Sequence, residues 1–389
     1  MNSIDKLFLL DAYALIYRAY YAFIKNPRIN SKGFNTSAIL GFVNTLEEVL
    51  KKENPTHIGV AFDPSGPTFR HEAYKQYKAQ REETPEAIRL SVPIIKDIIR
   101  AYRIPILEVG GYEADDVIGT LATEAGRQGI TTYMMTPDKD YGQLVSANVF
   151  MYRPKHTGGF EIMGTEEVKT KFNIQSTEQV IDMLGLMGDA SDNIPGCPGV
   201  GEKTAQKLIA EFGSIENLLE HTGQLKGALK TKVETNREMI TFSKFLATIK
   251  TDVPIRLDMN SLVREEPNEE ELRRIFEELE FRTLIDRVLK KGNGDSSSPT
   301  PTSPAPDPFA GTLFAQPQIS TPENSVPVQG DLFANLAGEW TGASENSNLK
   351  RLEMLDVDYQ LIDTEEKRRK TIQKLLTSKI LSIDTETTG

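Results

Sequence analysis

The sequence predicts an α/β protein whose mostly parallel central sheet carries helices on both faces, followed by a region of helices alone. Short, nearly continuous apolar runs recur through the first 150 residues with amphipathic stretches between them, the pattern of strands buried on both faces and joined by helical crossovers. Three of these runs end in an aspartate, and open α/β sheets place their sites outside the carboxyl ends of their strands. From about Thr165 the apolar spacing turns helical.

The strands are expected at Lys6–Asp11 (KLFLLD), His57–Asp63 (HIGVAFD), Ile104–Val109, Thr131–Asp138 (TTYMMTPD) and Val149–Tyr152. Ser37–Lys51 and Ala114–Gln128 read as two of the intervening amphipathic helices. In the helical region a last clear helix begins at Asn268, with Glu271 three residues on as a capping box. Its Leu272, Ile275, Phe276 and Leu279 form an inward stripe. The expected units are a catalytic α/β domain (1–170), a helical region (171–291), a linker (292–349) and the start of another domain (350–389). The linker contains no Lys or Arg and is rich in Pro, Ser, Thr, Gly and Asn, a composition that cannot bury a core. In the last unit a strand at Asp358–Ile362, a helix at Thr364–Leu376 and a strand at Ile380–Asp384 are too little to enclose a core of their own.

A single cysteine, Cys197, excludes an internal disulfide and fits a reducing compartment. No apolar run reaches the roughly 18 residues of a membrane span, so a soluble, cytoplasmic protein is expected; separately, a monomer is expected. Taken whole, the net charge of −11 argues against a nucleic-acid partner. However, residues 292–389 hold 8 basic and 14 acidic residues, which leaves 37 and 42 in 1–291, a net of −5. If the nine carboxylates described next are neutralised by cations, the remainder of that region is +4. Any basic surface is therefore local.

Those nine are Asp11, Asp63, Glu113, Asp115 and Asp116 (in GYEADD), Asp138 and Asp140 (in TPDKD), and Asp189 and Asp192 (in GDASDN). Each alone could be a helix cap or turn acid. Together, at strand ends and helix starts, they would repel one another unless cations sat among them. Oxygen-only ligands suit Mg²⁺ or Mn²⁺ rather than Zn²⁺; His57, His71, His156 and His221 are too scattered for a zinc motif. Two such ions hydrolyse phosphodiesters. Arg70, Tyr74, Tyr77, Lys78 and Arg81 fall at intervals that share one helical face; this could be merely a solvated helix. Gly196–Thr204 (GCPGVGEKT) reads as a glycine loop opening a helix, a place where backbone N–H groups meet phosphate, or as a plain Gly-Pro loop.

The ordered set FRHEAYKQYKAQR, GYEADD, TPDKD and GDASDNIPGCPGVGEKTA resembles the 5′-nuclease domain of bacterial DNA polymerase I, a relative of flap endonucleases, from about Lys6 to Val288. The resemblance implies a PIN-like nuclease fold, a two-metal site on all nine carboxylates, and a gateway in which Lys78 and Arg81 reach the scissile phosphate while Arg70, Tyr74 and Tyr77 contact DNA. It also implies a helix–hairpin–helix at Gly199, Val200 and Gly201, with K⁺ on backbone carbonyls and Lys203 and Lys207 on phosphates. Pro137 and Tyr141-Gly142 depart from the family, which commonly has glycine and leucines there.

Asp384 and Glu386 resemble the first metal motif of a 3′–5′ proofreading exonuclease, without its partner acids. Gln329, Leu332 and Phe333 match the Q-x-x-L-F pattern of peptides that dock on bacterial sliding clamps. The expected activity is 5′–3′ exonuclease and 5′-flap endonuclease on DNA, including RNA primer–DNA junctions, with Mg²⁺ or Mn²⁺. A silent DNA-binding module and a ribonuclease of similar fold are the alternatives; the full acid set weighs against the first and the hairpin against the second.

Overall fold

Alternation in β1 (Lys6–Asp11) sets the architecture, because Leu7 and Leu9 point into one core while Phe8 and Leu10 point into another, all four fully buried. The computed structural model describes residues 5–155 and 159–289, with Lys367 and Arg369 beyond them. The linker motif at 329–333, Asp384, Glu386 and His156 lie outside the described residues. A six-stranded sheet is formed by β1, β2 (His57–Ala61), β3 (Ile106–Leu107), β4 (Thr131–Met135), β5 (Val149–Pro154) and β6 (Phe160–Met163), in the order β3-β2-β1-β4-β5-β6. Every pairing is parallel except β5 with β6.

One face is covered by α1 (Ala12–Ala22), α2 (Ser37–Lys52) and, past the short α3 (Phe69–Ala73), α4 (Glu86–Ala101). The other is covered by α5 (Ala114–Arg127) and by the helices that follow β6. These are α6 (Thr165–Phe172), α7 (Gln179–Met187), α8 (Glu202–Phe212), α9 (Ile215–Glu220), α10 (Gly227–Thr235) and α11 (Arg237–Ala247). Val117 and Leu121 of α5 therefore share a core with Val180 and Leu184 of α7 and Leu208 of α8. The last helices, α12 (Glu269–Glu278) and α13 (Arg282–Leu289), return to the first face through Leu272, Ile275, Phe276 and Leu284. Asn268 caps α12 by accepting the Glu271 N–H at 3.2 Å, but the Glu271 carboxylate accepts from Arg274, so the reciprocal half of the expected capping box is not formed. No helix among the described residues is long and apolar enough to cross a membrane.

Two strand expectations change. The run at 104–109 pairs over only two residues, since Pro105 has no N–H to donate and contributes only its carbonyl, to the Val60 N–H. β6 is an additional, antiparallel edge strand; its four residues carry too little pattern to stand out.

Candidate active site

β2, β1 and β4 are neighbours, so the acids at their carboxyl ends line one edge of the sheet. Asp11 is the last residue of β1, Asp63 follows β2 by two residues and Asp138 follows β4 by three. The chain leaves β1 toward β2 on one side and later returns to place β4 on the other, which makes this edge the topological switch point. Asp63 accepts the Ala114 N–H at 2.7 Å and so ties its loop to the start of α5. Glu113 is the N-cap of α5, and Asp115 and Asp116 occupy its first turn, where the helix dipole favours negative charge. Asp138 caps a short 3₁₀ turn over Lys139–Leu144 by accepting the Asp140 N–H at 2.9 Å. Asp189 and Asp192 lie in the turn after α7, with Asp189 held by the Ser191 N–H at 2.7 Å and by the Ser191 hydroxyl.

Basic and phenolic side chains from 70–81 reach into this edge. Arg70 is 1% exposed and uses all five of its N–H donors. It gives two parallel bonds of 2.8 Å to Asp116, one of 3.2 Å to Glu113, and bonds of 2.9 Å to the carbonyls of Leu246 and Thr248. Lys78 Nζ lies 2.9 Å from Glu113 and 3.7 Å from Asp192. Arg81 pairs with Asp192 at 2.5 Å and donates to the Ser191 carbonyl at 3.1 Å. The Tyr77 hydroxyl is 2.9 Å from Glu113 and 3.0 Å from Asp192 and can donate to either. Lys139 pairs with Asp189 at 2.9 Å.

These contacts divide the acids into two electrostatic classes. Burial would raise Glu113 and Asp192, but Lys78 with Arg70 at the first, and Lys78 with Arg81 at the second, hold both carboxyls below their ordinary range. Asp11, Asp63, Asp115, Asp138 and Asp140 are pushed the other way, above all by burial, with neighbouring carboxylates adding to it and nearby cations and donors offsetting only part of it. Asp11 rises to about 7, and Asp115 and Asp140 rise well above the usual carboxylate range. Asp115 Oδ1 and Asp140 Oδ1 are buried with no hydrogen-bond partner, and Arg70 comes no nearer the first than 3.8 Å. Among the described residues no three acids converge on one point as they stand. Orphaned buried oxygens among mutually repelling carboxylates, with no nitrogen or sulfur donor, nonetheless fit hard divalent cations. Asp116 is the exception: Arg70, the Lys250 N–H at 2.8 Å and the Glu113 N–H at 3.1 Å take up both of its oxygens, so it holds the site together instead of facing it.

The segment 70–81 corrects the expectation of one helical face. α3 ends at Ala73, Tyr74 is extended, and Lys78 has a left-handed φ of 55°. Successive turns replace the helix because they bring both Tyr77 and Lys78 onto Glu113 while the Lys78 N–H bonds the Asp192 carbonyl at 3.0 Å. Tyr77 is 3% exposed, so its ring offers no face to a base; Arg70 is likewise enclosed. Both support the acids in place of the DNA contact expected of them. The Tyr74 ring packs edge-on to Phe242 of α11. Three further side chains reach the acids without having been expected there: Lys139, visible between the two acids of TPDKD, and Thr136 and Tyr141, whose hydroxyls reach Asp11. Thr136 carries no mark in the sequence, and Tyr141 stands out only as a departure from the family pattern.

The hairpin between α7 and α8 is built on glycines. Gly188 and Gly196, with φ of 72° and 62°, pack back to back: a Cβ on Gly196 would stand 2.3 Å from the Gly188 nitrogen. Gly199 has φ of 76°, Val200 is buried, and α8 begins at Glu202 directly after Gly201. Lys203 and Lys207 are exposed on α8, and the Lys232 ammonium stands over Gly199.

The parallel sheet with acids at its switch point and a helix–hairpin–helix beside it defines a nuclease fold. Residues 6–173 match the 5′–3′ exonuclease N-terminal resolvase-like domain and residues 175–270 the 5′–3′ exonuclease C-terminal SAM fold. A 5′–3′ exonuclease of Aquifex aeolicus is 36% identical over 284 residues, 73% of this chain and 95% of that one. The DNA polymerase I of Bacillus subtilis is 43% identical over 292 residues, 74% of this chain, and that of Bacillus caldotenax 41% over 286. The chain spans only about a third of those two polymerases, 33% and 32%. In fold it is similar to a zinc-bound bacteriophage T5 5′-exonuclease (TM-score 0.54, 20% identity, 71% of this chain and 98% of that one). It is also similar to the Rad2 catalytic core in complex with DNA substrate (TM-score 0.52, 17% identity, 75% and 94%). The chain belongs to the 5′–3′ exonuclease family and is a nuclease.

Proposed function

We propose that the chain is a structure-specific 5′–3′ exonuclease and 5′-flap endonuclease on DNA, working with two Mg²⁺ ions for which Mn²⁺ can substitute. The observation that carries this is the buried acid edge at the switch point, with orphaned oxygens on Asp115 and Asp140 and the cations Lys78 and Arg81 at its rim. Asp11, Asp63, Glu113 and Asp115 would hold one group of ligands, and Asp138, Asp140, Asp189 and Asp192 the other. If held there, divalent ions would lower the pKa of a water for in-line attack and would stabilise charge on the leaving oxygen. Lys78 and Arg81, with side chains 19% and 43% exposed, are close enough to solvent to turn from the acids toward a scissile phosphate and neutralise charge developing there. Arg70 and Tyr77 keep Glu113 and Asp116 fixed while this happens. The products are a 5′-phosphate and a 3′-hydroxyl.

Duplex backbone is gripped at Gly199, Val200 and Gly201 through N–H groups, with Lys203 and Lys207 on phosphates and K⁺ on hairpin carbonyls, a mode that reads no sequence. The DNA-bound Rad2 core and the T5 flap endonuclease complexed with DNA and metal ions support a DNA substrate. The polymerase relatives support a role in removing primers and repairing DNA within a DNA polymerase I, on 5′ ends, flaps and RNA primer–DNA junctions in the bacterial cytoplasm. Gln329, Leu332 and Phe333 would tether it to a sliding clamp. The test is a panel of end-labelled 5′-flap, nicked and RNA-only substrates in Mg²⁺, with products checked for ligation. Ligatable cuts at the flap base are expected; cleavage confined to RNA would refute the assignment.

A further inference from the structure

Tyr141 is among the largest fully enclosed side chains of the described residues. A buried phenol needs an acceptor for its O–H, and this one donates to Asp11 Oδ2 at 3.2 Å. Thr136, also fully buried, brings its hydroxyl to 3.3 Å from the same oxygen and receives the Asp138 N–H at 3.2 Å. The other oxygen, Oδ1, accepts the Ala14 N–H at 3.1 Å and thereby caps α1. The Asp11 carboxylate is thus fixed by three donors from three places in the chain.

The Tyr141 ring cannot readily shift. It lies in the core shared by α5, α7 and α8. Immediately behind it, Gly142 is pressed against the helical region. A Cβ there would come within 3.3 Å of Val168, 3.5 Å of Phe172 and 3.6 Å of Val180. A leucine at 141 could fill the space but could not donate. Partners of this kind, which orient a ligating carboxylate without touching the ion, matter to affinity nearly as much as the ligands themselves.

We propose that Tyr141, assisted by Thr136, is a positioning residue for the metal site, locking Asp11 in the orientation from which it serves as a ligand. This rests on the reading of Asp11 as a ligand. Tyr141→Phe removes a single oxygen and keeps the ring. It should weaken Mn²⁺ binding, followed by electron paramagnetic resonance, by about tenfold or more. Cleavage should fall at limiting Mn²⁺ and recover when Mn²⁺ is raised in proportion, with KM for DNA unchanged. Should Tyr141→Phe not be recovered folded, Thr136→Val removes the other donor on the same oxygen and carries the same expectation. Wild-type Mn²⁺ affinity in either folded variant would overturn the inference and leave the metal site standing. If the wild-type protein bound no Mn²⁺, the metal site would fall and the inference with it.

Discussion

Arg70 joins three parts of the protein that are distant in sequence, and its removal should be felt both in stability and at the site. Arg70→Ala takes away two bonds to Asp116, one to Glu113 and two to the carbonyls of Leu246 and Thr248. Asp116, 0% exposed, would keep only the N–H groups of Glu113 and Lys250. Breaking a buried ion pair on one side costs about 3–5 kcal/mol, and the two stranded carbonyls add to that. Since a domain of this kind has a stability of only about 5–15 kcal/mol, the variant should be marginal. Urea unfolding followed by circular dichroism should show the midpoint falling with the slope unchanged, and the melting temperature should drop by at least about 6 °C. Arg70→Lys keeps the charge but not the fork and should fall between Ala and wild type. A loss below about 1 kcal/mol for Arg70→Ala, the range of an exposed pair, would mean that Arg70 does not anchor Asp116 in this way.

The other predictions concern charge. Asp140→Asn should cut Mg²⁺-dependent turnover on the order of a hundredfold or more, as expected for several kcal/mol of metal stabilisation, yet leave the urea midpoint in EDTA no lower than wild type, because it relieves repulsion around an orphaned oxygen; near-normal turnover would count against its role. The Asp11 carboxyl, raised to about 7 from 3.8, binds its proton more tightly folded than unfolded. Its contribution to stability in EDTA is therefore largest at acid pH and declines as pH rises from about 4 to about 7, while Mn²⁺ affinity climbs over the same window; denaturation and Mn²⁺ titrations at several pH values would show both trends, and opposite slopes would contradict them. Lys203→Gln with Lys207→Gln should lower the salt dependence of duplex binding by up to about 1.8 in log–log slope, and an unchanged slope would remove them from the phosphate contacts.

Much of this site was legible because its acids sit at positions the sequence marks. KLFLLD and HIGVAFD show a strand and the carboxylate near its end together, and GYEADD shows acids where a helix begins. The support around the acids was less visible. Arg70 and Tyr77 look like members of an exposed helical face, since their spacing is helical, and only tertiary pairing with Glu113 and Asp116 draws them inward. Asp116 looks like a ligand equal to Asp115 until its four donors are counted, three of which come from Arg70 and Lys250, far along the chain. Thr136 carries no sequence signal and Tyr141 only that of a family departure, because a hydroxyl aimed at Asp11 is fixed by tertiary packing. Register and hydrogen-bond satisfaction decide such roles, and neither is a local property of the chain.

Whether the acids hold divalent ions that cut DNA at 5′ ends can be read by titrating Mg²⁺ into EDTA-stripped protein with a labelled 5′-flap duplex and following cleavage. No cutting is expected in EDTA, and cutting at the flap base should rise with Mg²⁺ and be lost in Asp115→Asn. Cleavage that persists in EDTA, or its absence in both Mg²⁺ and Mn²⁺, would contradict metal-dependent cutting at 5′ ends.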